Sequence, residues 1–392
     1  MSAAALTWMV AAVLGPAALY AVAMVHFRRA WQQLPIPRLP VNPTAQHVDR
    51  VSLTVIIAAR NEAANLPHLL TDLGRQTYLA QGGKVEIIVV DDHSTDGTAV
   101  VVEQARLVSV FPLRLLRLAD QPQPATGKKA AVQAAIAAAR APWVVLTDAD
   151  CRVTPGWLAA HAAVAAEPAA QFASGPVLLT GRGALAALQG VELAALVGVG
   201  AAGIGLGQPT MCNGANLSYR RAAFYAVQGF AGNAHVPSGD DEFLLHKLYK
   251  AYPEGIHFLK DSAAIVRTAA QPSLRALLMQ RVRWASKWRH YEQAAPRRLA
   301  VLVLLANVAL LAGLIGSFFQ PQGWPFVLAA WALKLGADVW FLTPVLGFFQ
   351  RRQWLGWLPV LQLAYAPYAL ATGLLGLRGG YVWKGRKIQA TT

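Results

Sequence analysis

Four long apolar stretches limit what this chain can fold into. Each is long enough to cross the hydrocarbon core of a bilayer, which takes about 20 apolar residues. The stretches are Ala3–Phe27, Leu299–Phe319, Trp324–Phe349 and Trp354–Leu377. With 14% charged and 55% apolar residues, the chain is too apolar for a soluble enzyme and too charged for membrane helices alone. We therefore predict one polar domain joined to a multi-pass membrane region.

The distribution of charge predicts an orientation. The formal net charge is +15, and the Lys and Arg residues lie largely beside the apolar stretches. This favours an anionic membrane surface over nucleic acid as the partner, so we expect no nucleic acid. Arg28 and Arg29 follow the first stretch, which no charge precedes, and the positive-inside rule then places the polar domain in the cytosol. Cys151 and Cys212 form no disulfide framework, which agrees with a reducing compartment.

The C-terminal apolar region permits two topologies. If Trp354–Leu377 spans the membrane, the basic residues at 384–387 lie outside, against the positive-inside rule. Pro359 and Pro367 would instead permit a re-entrant hairpin whose broken backbone is buried in protein. The sequence leaves both open.

Two opposite charges lie four residues apart in the third apolar stretch. Lys334 and Asp338 can pair on one helix face. A neutralised pair packed inside the bundle is favoured over a role in the path of an acceptor.

The polar middle has the pattern of an α/β domain. Short β-branched runs alternate with segments of helical spacing. The strands are predicted at Val51–Ala59, Val85–Val90, Leu113–Leu118 and Trp143–Leu146, and the helices at Asn65–Arg75, Thr98–Leu107 and Lys128–Arg140. This alternation predicts a mostly parallel sheet covered on both faces. Because such sheets bind ligands at the carboxyl ends of their strands, we expect a nucleotide site there.

Pairs of carboxylates follow two of these strands. Asp148 and Asp150, one residue apart in a turn, can approach one hard cation together with a diphosphate, although capping of the next element explains them equally well. Asp91 and Asp92 suit hydrogen bonds to a base and a ribose hydroxyl, whereas Asp96 or Thr95 could cap the following helix.

A third acidic group precedes the predicted helix Phe243–Tyr249. Asp240, Asp241 and Glu242 either complement the helix dipole or supply a base that deprotonates an acceptor hydroxyl.

Basic and aromatic residues then interleave near the second apolar stretch. The residues are Arg281, Arg283, Trp284, Lys287, Trp288 and Arg289. They predict an amphipathic interfacial helix with snorkelling basic side chains. A guanidinium and an indole there could also contact a diphosphate and an acceptor.

In this order, the motifs resemble those of the membrane branch of family 2 glycosyltransferases. That branch includes ceramide glucosyltransferase, hyaluronan synthase and cellulose synthase. The matching segments are AARNEAANL at Ala58–Leu66, VVDDHSTDGT at Val89–Thr98, TDADC at Thr147–Cys151, SGDDEFL at Ser238–Leu244 and QRVRW at Gln280–Trp284. Each segment is weak alone, but five in the same order form the branch's D, D, D, QxxRW pattern.

The resemblance implies a role for each matching residue. The implied fold is GT-A, a Rossmann-like α/β domain with a mostly parallel sheet, flanked by transmembrane helices. The implied nucleotide-sugar site comprises Ala58, Arg60, Glu62, Asp91, Asp92, Lys128 and Asp148, and the metal ligands are Asp148 and Asp150. The implied catalytic residues are Asp241 as general base, Asp240, Gln280, Arg283 and Trp284, with the loop Asn213–Asn216 beneath the acceptor. Most relatives have Glu-Asp where this chain has Asp240-Asp241, which leaves open which of the two acts.

The implied activity is that of a hexosyltransferase-type enzyme that inverts the anomeric carbon. A nucleotide-sugar donor, with a UDP-sugar favoured, would react with a lipid acceptor in the presence of Mg²⁺ or Mn²⁺, on the cytosolic side of a bacterial cytoplasmic membrane. A processive polysaccharide synthase shares QxxRW and is the alternative, although four spans are few for a polymer channel. A non-catalytic membrane scaffold would leave the acidic motifs unexplained.

The resulting domain organisation has six parts. We expect an N-terminal transmembrane helix at residues 1–29, a linker at 30–50, the GT-A domain at 51–271, the amphipathic helix at 272–298, the C-terminal transmembrane region at 299–377 and a basic tail at 378–392.

Overall fold

A computed structural model gives the structure of the chain. It describes residues 3–36, 51–121, 126–234, 236, 238–287, 293–378, 381–383 and 386–388. Most of the predicted linker, Trp288 and Arg289 of the basic segment, and Lys384 of the tail lie outside the described residues.

The described residues contain helices and strands in alternation. The helices are α1 (Ala3–Gln33), α2 (Leu66–Gly74), α3 (Thr77–Ala80), α4 (Thr98–Val108), α5 (Lys128–Ala138), α6 (Trp157–Ala165), α7 (Ala184–Gly205), α8 (Arg221–Ala226), α9 (Asp240–Ala251), α10 (Leu274–Ala285), α11 (Ala294–Phe319), α12 (Trp324–Phe348) and α13 (Leu358–Arg378). The strands are β1 (Leu53–Ala59), β2 (Val85–Asp91), β3 (Leu113–Arg117), β4 (Trp143–Asp148), β5 (Phe172–Ser174), β6 (Val177–Thr180), β7 (Leu217–Arg220), β8 (Ile256–Phe258), β9 (Val266–Ala269), β10 (Tyr381–Trp383) and β11 (Arg386–Ile388).

The chain forms two compact units. The helical unit comprises Met1–Gln33, Gly181–Thr210 and Gln271–Tyr381. The sheet unit comprises Leu34–Thr180, Met211–Ala270 and Val382–Thr392.

The sheet unit is built on a seven-stranded sheet in the order β3-β2-β1-β4-β7-β5-β8. The first four of these strands run parallel, β7 is antiparallel to both of its neighbours, and β8 is parallel to β5. Strands β1, β2 and β4 are almost entirely buried, as expected for a parallel sheet with both faces covered. The predicted α/β class with a mostly parallel sheet is therefore confirmed.

Two central strands extend further than the sequence predicts. The strand predicted to end at Val90 includes Asp91, and the strand predicted to end at Leu146 includes Asp148. The first carboxylate of each acidic motif is thus the last residue of its strand. Because ladder hydrogen bonds fix these two backbone positions, their side chains have defined directions at the sheet edge.

Asn216 is the polar centre of the sheet unit's core. Its side chain is fully buried and donates to the carbonyl oxygens of Pro176 (2.8 Å) and Ala264 (2.7 Å). Its amide oxygen accepts from Trp157 Nε1 at 3.0 Å and lies 3.1 Å from Nε2 of His161. Asn216 begins the formal glycosylation sequence Asn216-Leu217-Ser218, but its side chain is a fully hydrogen-bonded part of the core.

The helical unit contains α1, α7 and α10–α13. Among the described residues, five helical segments are long and apolar enough to cross a membrane: Ala11–Gln33, Ala184–Gly205, Ala294–Phe319, Pro321–Phe348 and Arg352–Gly376. The sequence analysis identified four of these stretches and missed α7, which interrupts the range expected for the catalytic domain. Helix α13 runs unbroken through Pro367, so the alternative of a broken hairpin there is wrong.

Small residues let α7 pack closely inside the helical unit. A Cβ atom at Gly190 would lie 2.4 Å from the ring of Trp354, and one at Gly198 would lie 2.9 Å from a methyl group of Val345. Close approach through glycine is typical of helices that associate in membranes.

Polar contacts join α1 to α12. Lys334 Nζ lies 2.9 Å from Asp338 Oδ2, which confirms the predicted pair inside the bundle, and Tyr20 OH donates to Asp338 Oδ1 at 2.6 Å. Pro344 has no backbone N–H, so it cannot donate the helical hydrogen bond to the carbonyl oxygen of Trp340, four residues earlier. Arg28 Nη1 donates to this carbonyl at 2.5 Å and its guanidinium lies 3.7 Å from the indole centroid of the same residue.

We predict that His161 makes the sheet unit sensitive to acid. Burial lowers the pKa of His161 from 6.5 to about 3, so between these values the unfolded chain binds a proton that the folded chain does not. The contribution of the neutral His161 ring to the free energy of unfolding is complete above pH 6.5. This contribution is lost as the pH falls from 6.5 towards 3, by at most about 1.4 kcal/mol per pH unit.

The measurement is the thermal unfolding midpoint of the detergent-solubilised protein across this pH range. His161→Gln should be less stable than the wild type at neutral pH but should lose less stability on acidification. The same change at exposed His68 in α2 is the control. Equal pH slopes for the wild type and His161→Gln would contradict the assignment.

Candidate active site

The register of the three central strands brings the first two acidic motifs together. In the ladders, Ala58 on β1 pairs with Asp148 on β4, and Ala59 pairs with Asp91 on β2. The last residues of β2 and β4 thus flank the end of β1. The structure brings these residues together at the carboxyl edge of the sheet, as the sequence predicts.

Arg60 and Asp92 lie together beyond this edge. Arg60 Nη1 donates to the carbonyl oxygens of Asp92 (2.7 Å) and His93 (3.1 Å). The buried carboxylate of Asp92 accepts from the backbone N–H of Gly127 at 3.1 Å and lies 3.1 Å from His93 Nδ1. These contacts hold the Arg60 guanidinium against the backbone of the loop that carries the Asp92 carboxylate.

Asp91 and Glu62 bond within the loops that follow β2 and β1. Asp91 Oδ1 accepts from the backbone N–H of Ser94 at 3.0 Å. Glu62 is buried, and its Oε2 accepts from Asn65 Nδ2 at 2.7 Å. Both residues were predicted to bind the nucleotide sugar, and the structure places both among the contacts that hold the two loops.

Asp96 acts as the sequence predicts for a cap. Its carboxylate accepts from the N–H groups of Thr98 (3.0 Å) and Ala63 (3.1 Å), joining the start of α4 to the loop after β1. Burial alone would raise the pKa of Asp96, but the hydrogen bonds from Thr98 and Ala63 outweigh it and lower the pKa.

The turn after β4 can hold a divalent cation. One ligand atom from each of Asp148, Asp150 and Cys151 lies within 4.8 Å of the other two. Burial raises the pKa of the Cys151 thiol well above its ordinary value, and the charges of Asp148 and Asp150 add to this. Two of the three donors are carboxylate oxygens, which suit Mg²⁺ or Mn²⁺. The residues present therefore fit the predicted cation.

Lys128 links this turn to the third acidic motif. Its Nζ lies 2.6 Å from Asp148 Oδ1 and 3.9 Å from Asp240 Oδ2. Burial alone would lower the pKa of Lys128, but the charges of Asp148, Asp240 and Asp241 outweigh it and raise the pKa above its ordinary value. The ammonium is therefore permanently charged among three carboxylates, which is how residues distant in sequence form one cluster.

The two aspartates of the third motif differ in their surroundings. Both carboxylate oxygens of Asp241 accept backbone N–H groups, from Gly214 at 2.8 Å and from Glu242 at 2.9 Å. Burial raises the pKa of Asp240, and the charges of Asp241 and Asp148 add to this, against the opposing effect of Lys128. Asp241 is thus the oriented carboxylate, whereas Asp240 has a pKa above the ordinary value of an Asp.

The loop Asn213–Asn216 lies directly against this pair. A Cβ atom at Gly214 would lie 2.9 Å from Lys128 Nζ and 3.4 Å from Asp241 Oδ2. Only glycine leaves room here for both side chains.

Gly127 precedes α5 with φ of +93° and donates its N–H to Asp92. This residue was not predicted, although a glycine directly before a predicted helix was a usable signal.

The QxxRW residues belong to the helical unit. Gln280, Arg283 and Trp284 lie on α10 and are partly buried. The prediction that the basic side chains of this segment snorkel is wrong for Arg281, which is buried and pairs with Glu192 of α7 at 2.7 Å. Glu192 carried no signal in the sequence because it lies alone in an apolar helix.

Comparisons with known proteins agree on one class of enzyme. The chain matches glycosyl transferase family 2 over residues 54–224 and glycosyl transferase family group 2 over residues 143–374. It is 32% identical over 108 residues to a dolichyl-phosphate beta-glucosyltransferase of Dictyostelium discoideum. This match spans 26% of the present chain and 32% of the length of that relative.

Solved structures share the fold. The mannosyltransferase PcManGT of Pyrobaculum calidifontis, solved with GDP-Man and Mn²⁺, superposes with a TM-score of 0.54 at 21% identity, covering 95% of this chain and 98% of that one. A glucosyl-3-phosphoglycerate synthase of Mycobacterium tuberculosis superposes with a TM-score of 0.42 at 19% identity, over 60% of this chain and 78% of that one, which is too distant to inform on this chain. The similarity to PcManGT confirms the predicted GT-A fold.

We predict that Lys128 offsets repulsion among the site carboxylates. In Lys128→Met, Asp148, Asp240 and Asp241 lose their shared cation, so the protein should be less stable by roughly 1–2 kcal/mol, less than for a fully buried pair. The loss should shrink at high salt, which screens like charges, and Mn²⁺ should stabilise this variant more than the wild type.

Thermal unfolding at low salt, at high salt and with Mn²⁺ measures these effects. Lys84→Met, at an exposed position before β2, is the matched control. A loss of stability that neither salt nor Mn²⁺ reduces would show that Lys128 acts through packing instead.

Proposed function

The chain belongs to glycosyl transferase family group 2 and is a glycosyltransferase, and we propose that it transfers one sugar from a nucleotide-sugar donor to a lipid acceptor. The proposed transfer inverts the anomeric carbon. The observation that carries this proposal is the cluster in which Lys128 contacts both Asp148 of the DxD turn and Asp240 of the third motif. It places candidate metal ligands and candidate bases in one site at the sheet edge.

The proposed donor site uses the end of β1 and the loop after β2. Asp92 would accept hydrogen bonds from the base, while Arg60, Ala58 and Glu62 line the same pocket, with Asp91 and Lys128 beside it. Arg60 and Asp92 are already in contact, which supports this grouping. The donor proposed first is a UDP-sugar; PcManGT was solved with GDP-Man, so GDP-sugars belong in the same test.

Asp148 and Asp150 are the proposed ligands of Mg²⁺ or Mn²⁺. When bound, such a cation neutralises negative charge on the departing diphosphate. Lys128 holds Asp148 in place and contributes a second positive charge to the same region. Arg283 is proposed, from the QxxRW pattern, to add a guanidinium that stabilises the same developing charge, with Trp284 and Gln280 beside the acceptor.

Asp241 is the proposed general base. It would take the proton from the acceptor hydroxyl while that oxygen forms a bond to the anomeric carbon and the bond from this carbon to the diphosphate breaks. Two backbone N–H groups orient its carboxylate, which supports a positioned base. Asp240, whose pKa burial raises, is the alternative at the neighbouring position.

The proposed acceptor is a lipid drawn from the membrane. Five apolar helical segments among the described residues support attachment to a bilayer, and the relative from Dictyostelium discoideum is by name a dolichyl-phosphate enzyme. We propose that the chain crosses the membrane several times, with the N-terminus outside and the sheet unit in the cytosol, because Arg28 and Arg29 follow the first apolar stretch, Ala3–Phe27.

Incubation of membranes with a panel of UDP- and GDP-sugars, followed by mass spectrometry of the lipid extract, tests this function. One sugar added to a lipid supports the proposal. A ladder of products would instead indicate a processive synthase, and no transfer from any donor would contradict both.

We predict that donor binding depends on a divalent cation held by the DxD pair. Asp150→Ala should abolish transfer and weaken nucleotide-sugar affinity in Mn²⁺, because a ligand to the cation is lost. Activity assays and calorimetric titration measure both effects, and the paramagnetic resonance signal of Mn²⁺ reports binding of the cation directly. Asp120→Ala, in an exposed turn, is the control. Full activity in excess chelator would refute the metal assignment.

We predict that Asp241→Asn removes turnover but keeps donor binding. An amide cannot take the acceptor proton, so kcat should fall by about 10²–10⁴-fold with donor affinity nearly unchanged. Asp240→Asn should lose less. Steady-state kinetics and donor titration of both variants measure this.

The same pair of variants separates the base from a cap. Asn caps helices about as well as Asp, so a purely structural role leaves both variants active. If Asp240→Asn is inactive while Asp241→Asn works, the base is Asp240.

A further inference from the structure

Arg281 has an unusual environment for a residue between the motif positions of QxxRW. Its side chain is 6% exposed, and its Nη2 lies 2.7 Å from Oε2 of Glu192, whose side chain is 10% exposed. Arg281 Nε lies 3.2 Å from both oxygens of the same carboxylate. This multiple contact fixes the plane of the guanidinium, which a single point charge cannot do.

The same guanidinium contacts two of the motif residues. Arg281 Nη1 donates to Oε1 of Gln280, and the guanidinium carbon lies 4.1 Å from the centroid of the Trp284 indole. Arg281 therefore has Glu192 on one side and the side chains of Gln280 and Trp284 on the others. A fixed guanidinium plane fixes the orientation of both neighbours.

Glu192 is itself held in place. Tyr368 OH on α13 donates to Glu192 Oε1 at 2.9 Å. Helices α10 and α13 approach closely, since a Cβ atom at Gly376 would lie 2.7 Å from Cβ of Ala285. Residues of α7 and α13 thus support the side chain of Arg281, which contacts both Gln280 and Trp284.

We propose that Arg281 is a positioning residue, which sets the orientation of the Gln280 carboxamide and the Trp284 indole through its ion pair with Glu192. The proposal rests on the proposed function in that Gln280, Arg283 and Trp284 act in glycosyl transfer. Net stability is a poor account of this ion pair, because apolar residues of similar volume often stabilise a protein as well as a buried ion pair does.

The helical unit contains a second buried cluster that serves as a matched control. Lys334, Asp338 and Tyr20 also combine a cation, a carboxylate and a tyrosine hydroxyl, with Nζ of the lysine 4.7 Å from the tyrosine ring centroid. Among the described residues, the hydrogen bonds and the ring contact of this cluster lie within α1 and α12 and include no residue of QxxRW. Its removal therefore reports the cost of losing a buried ion pair without altering the motif.

The test compares two double variants, Glu192→Gln/Arg281→Met and Lys334→Met/Asp338→Asn. Both remove an ion pair without leaving a buried charge, and the methionine fills most of the volume of the replaced side chain. We expect both to fold, as judged by size-exclusion chromatography and thermal unfolding in detergent. Only the first should lower kcat, by about 10- to 100-fold, with donor affinity within about twofold of the wild type.

A spectroscopic readout makes the test independent of activity. In protein labelled with fluorotryptophan, the fluorine resonance absent from Trp284→Phe identifies Trp284. That resonance should shift in Glu192→Gln/Arg281→Met and stay in place in Lys334→Met/Asp338→Asn. If the first double variant does not fold, Arg281→Lys, which keeps the charge beside Glu192 but not the planar fork, should show the same shift and the same loss of kcat.

The outcomes separate this inference from the proposed function. An unshifted Trp284 resonance with unchanged kcat would overturn the positioning role while leaving the glycosyltransferase proposal intact. Equal losses in both double variants would also overturn it, because the effect would then be one of stability. A shifted resonance in a protein that transfers no sugar would support the positioning role and refute the proposed function.

Discussion

Three carboxylates of the sheet unit lie around one ammonium group, and the geometry of the site depends on it. Asp148 lies nearly a hundred residues before Asp240 and Asp241 in the sequence. In the fold the three like charges lie close together and repel one another. Lys128 Nζ, 2.6 Å from Asp148 and 3.9 Å from Asp240, offsets this repulsion. The same three charges keep the pKa of Lys128 raised despite burial. The cation and the carboxylates therefore stabilise each other's charged forms.

The sheet determines where these charges stand. Because Asp91 and Asp148 are the last residues of their strands, the ladder hydrogen bonds with β1 hold their backbones rigidly. Asp241 is held differently, by N–H groups of Gly214 and Glu242 on its two oxygens. Gly214 can approach this closely because it has no Cβ. The loop that contains Gly214 continues into Asn216, whose buried amide forms hydrogen bonds with three parts of the core. The rigidity of the site thus derives from the core beneath it.

Much of this site could be predicted from the sequence, because its chemistry falls at the ends of strands. Buried β-branched runs that stop at Asp91 and Asp148 located both motifs, and α4 and α5 lie where helical spacing placed them. The contacts that could not be predicted join residues without local signals. Glu192 lies alone in an apolar helix, and nothing near Arg281 distinguishes a buried guanidinium from a snorkelling one. Helix α7 was missed because it lies in the sequence between the acidic motifs of the polar domain, although its mean hydropathy of 1.7 is that of a membrane segment.

Each unit contains ion pairs that are better explained by geometry than by stability. A buried pair contributes little net free energy of folding, since desolvation offsets the attraction between its charges. What an ion pair supplies is a fixed direction. Lys128 joins Asp148 to Asp240, and Arg281 joins Glu192 to Gln280 and Trp284, so each cation contacts at least one residue of a sequence motif. Lys334 and Asp338 make the same kind of contact within the helix packing, where Asp338 of α12 accepts from Tyr20 of α1. What separates the cations at the motifs from this one is the set of side chains that they touch.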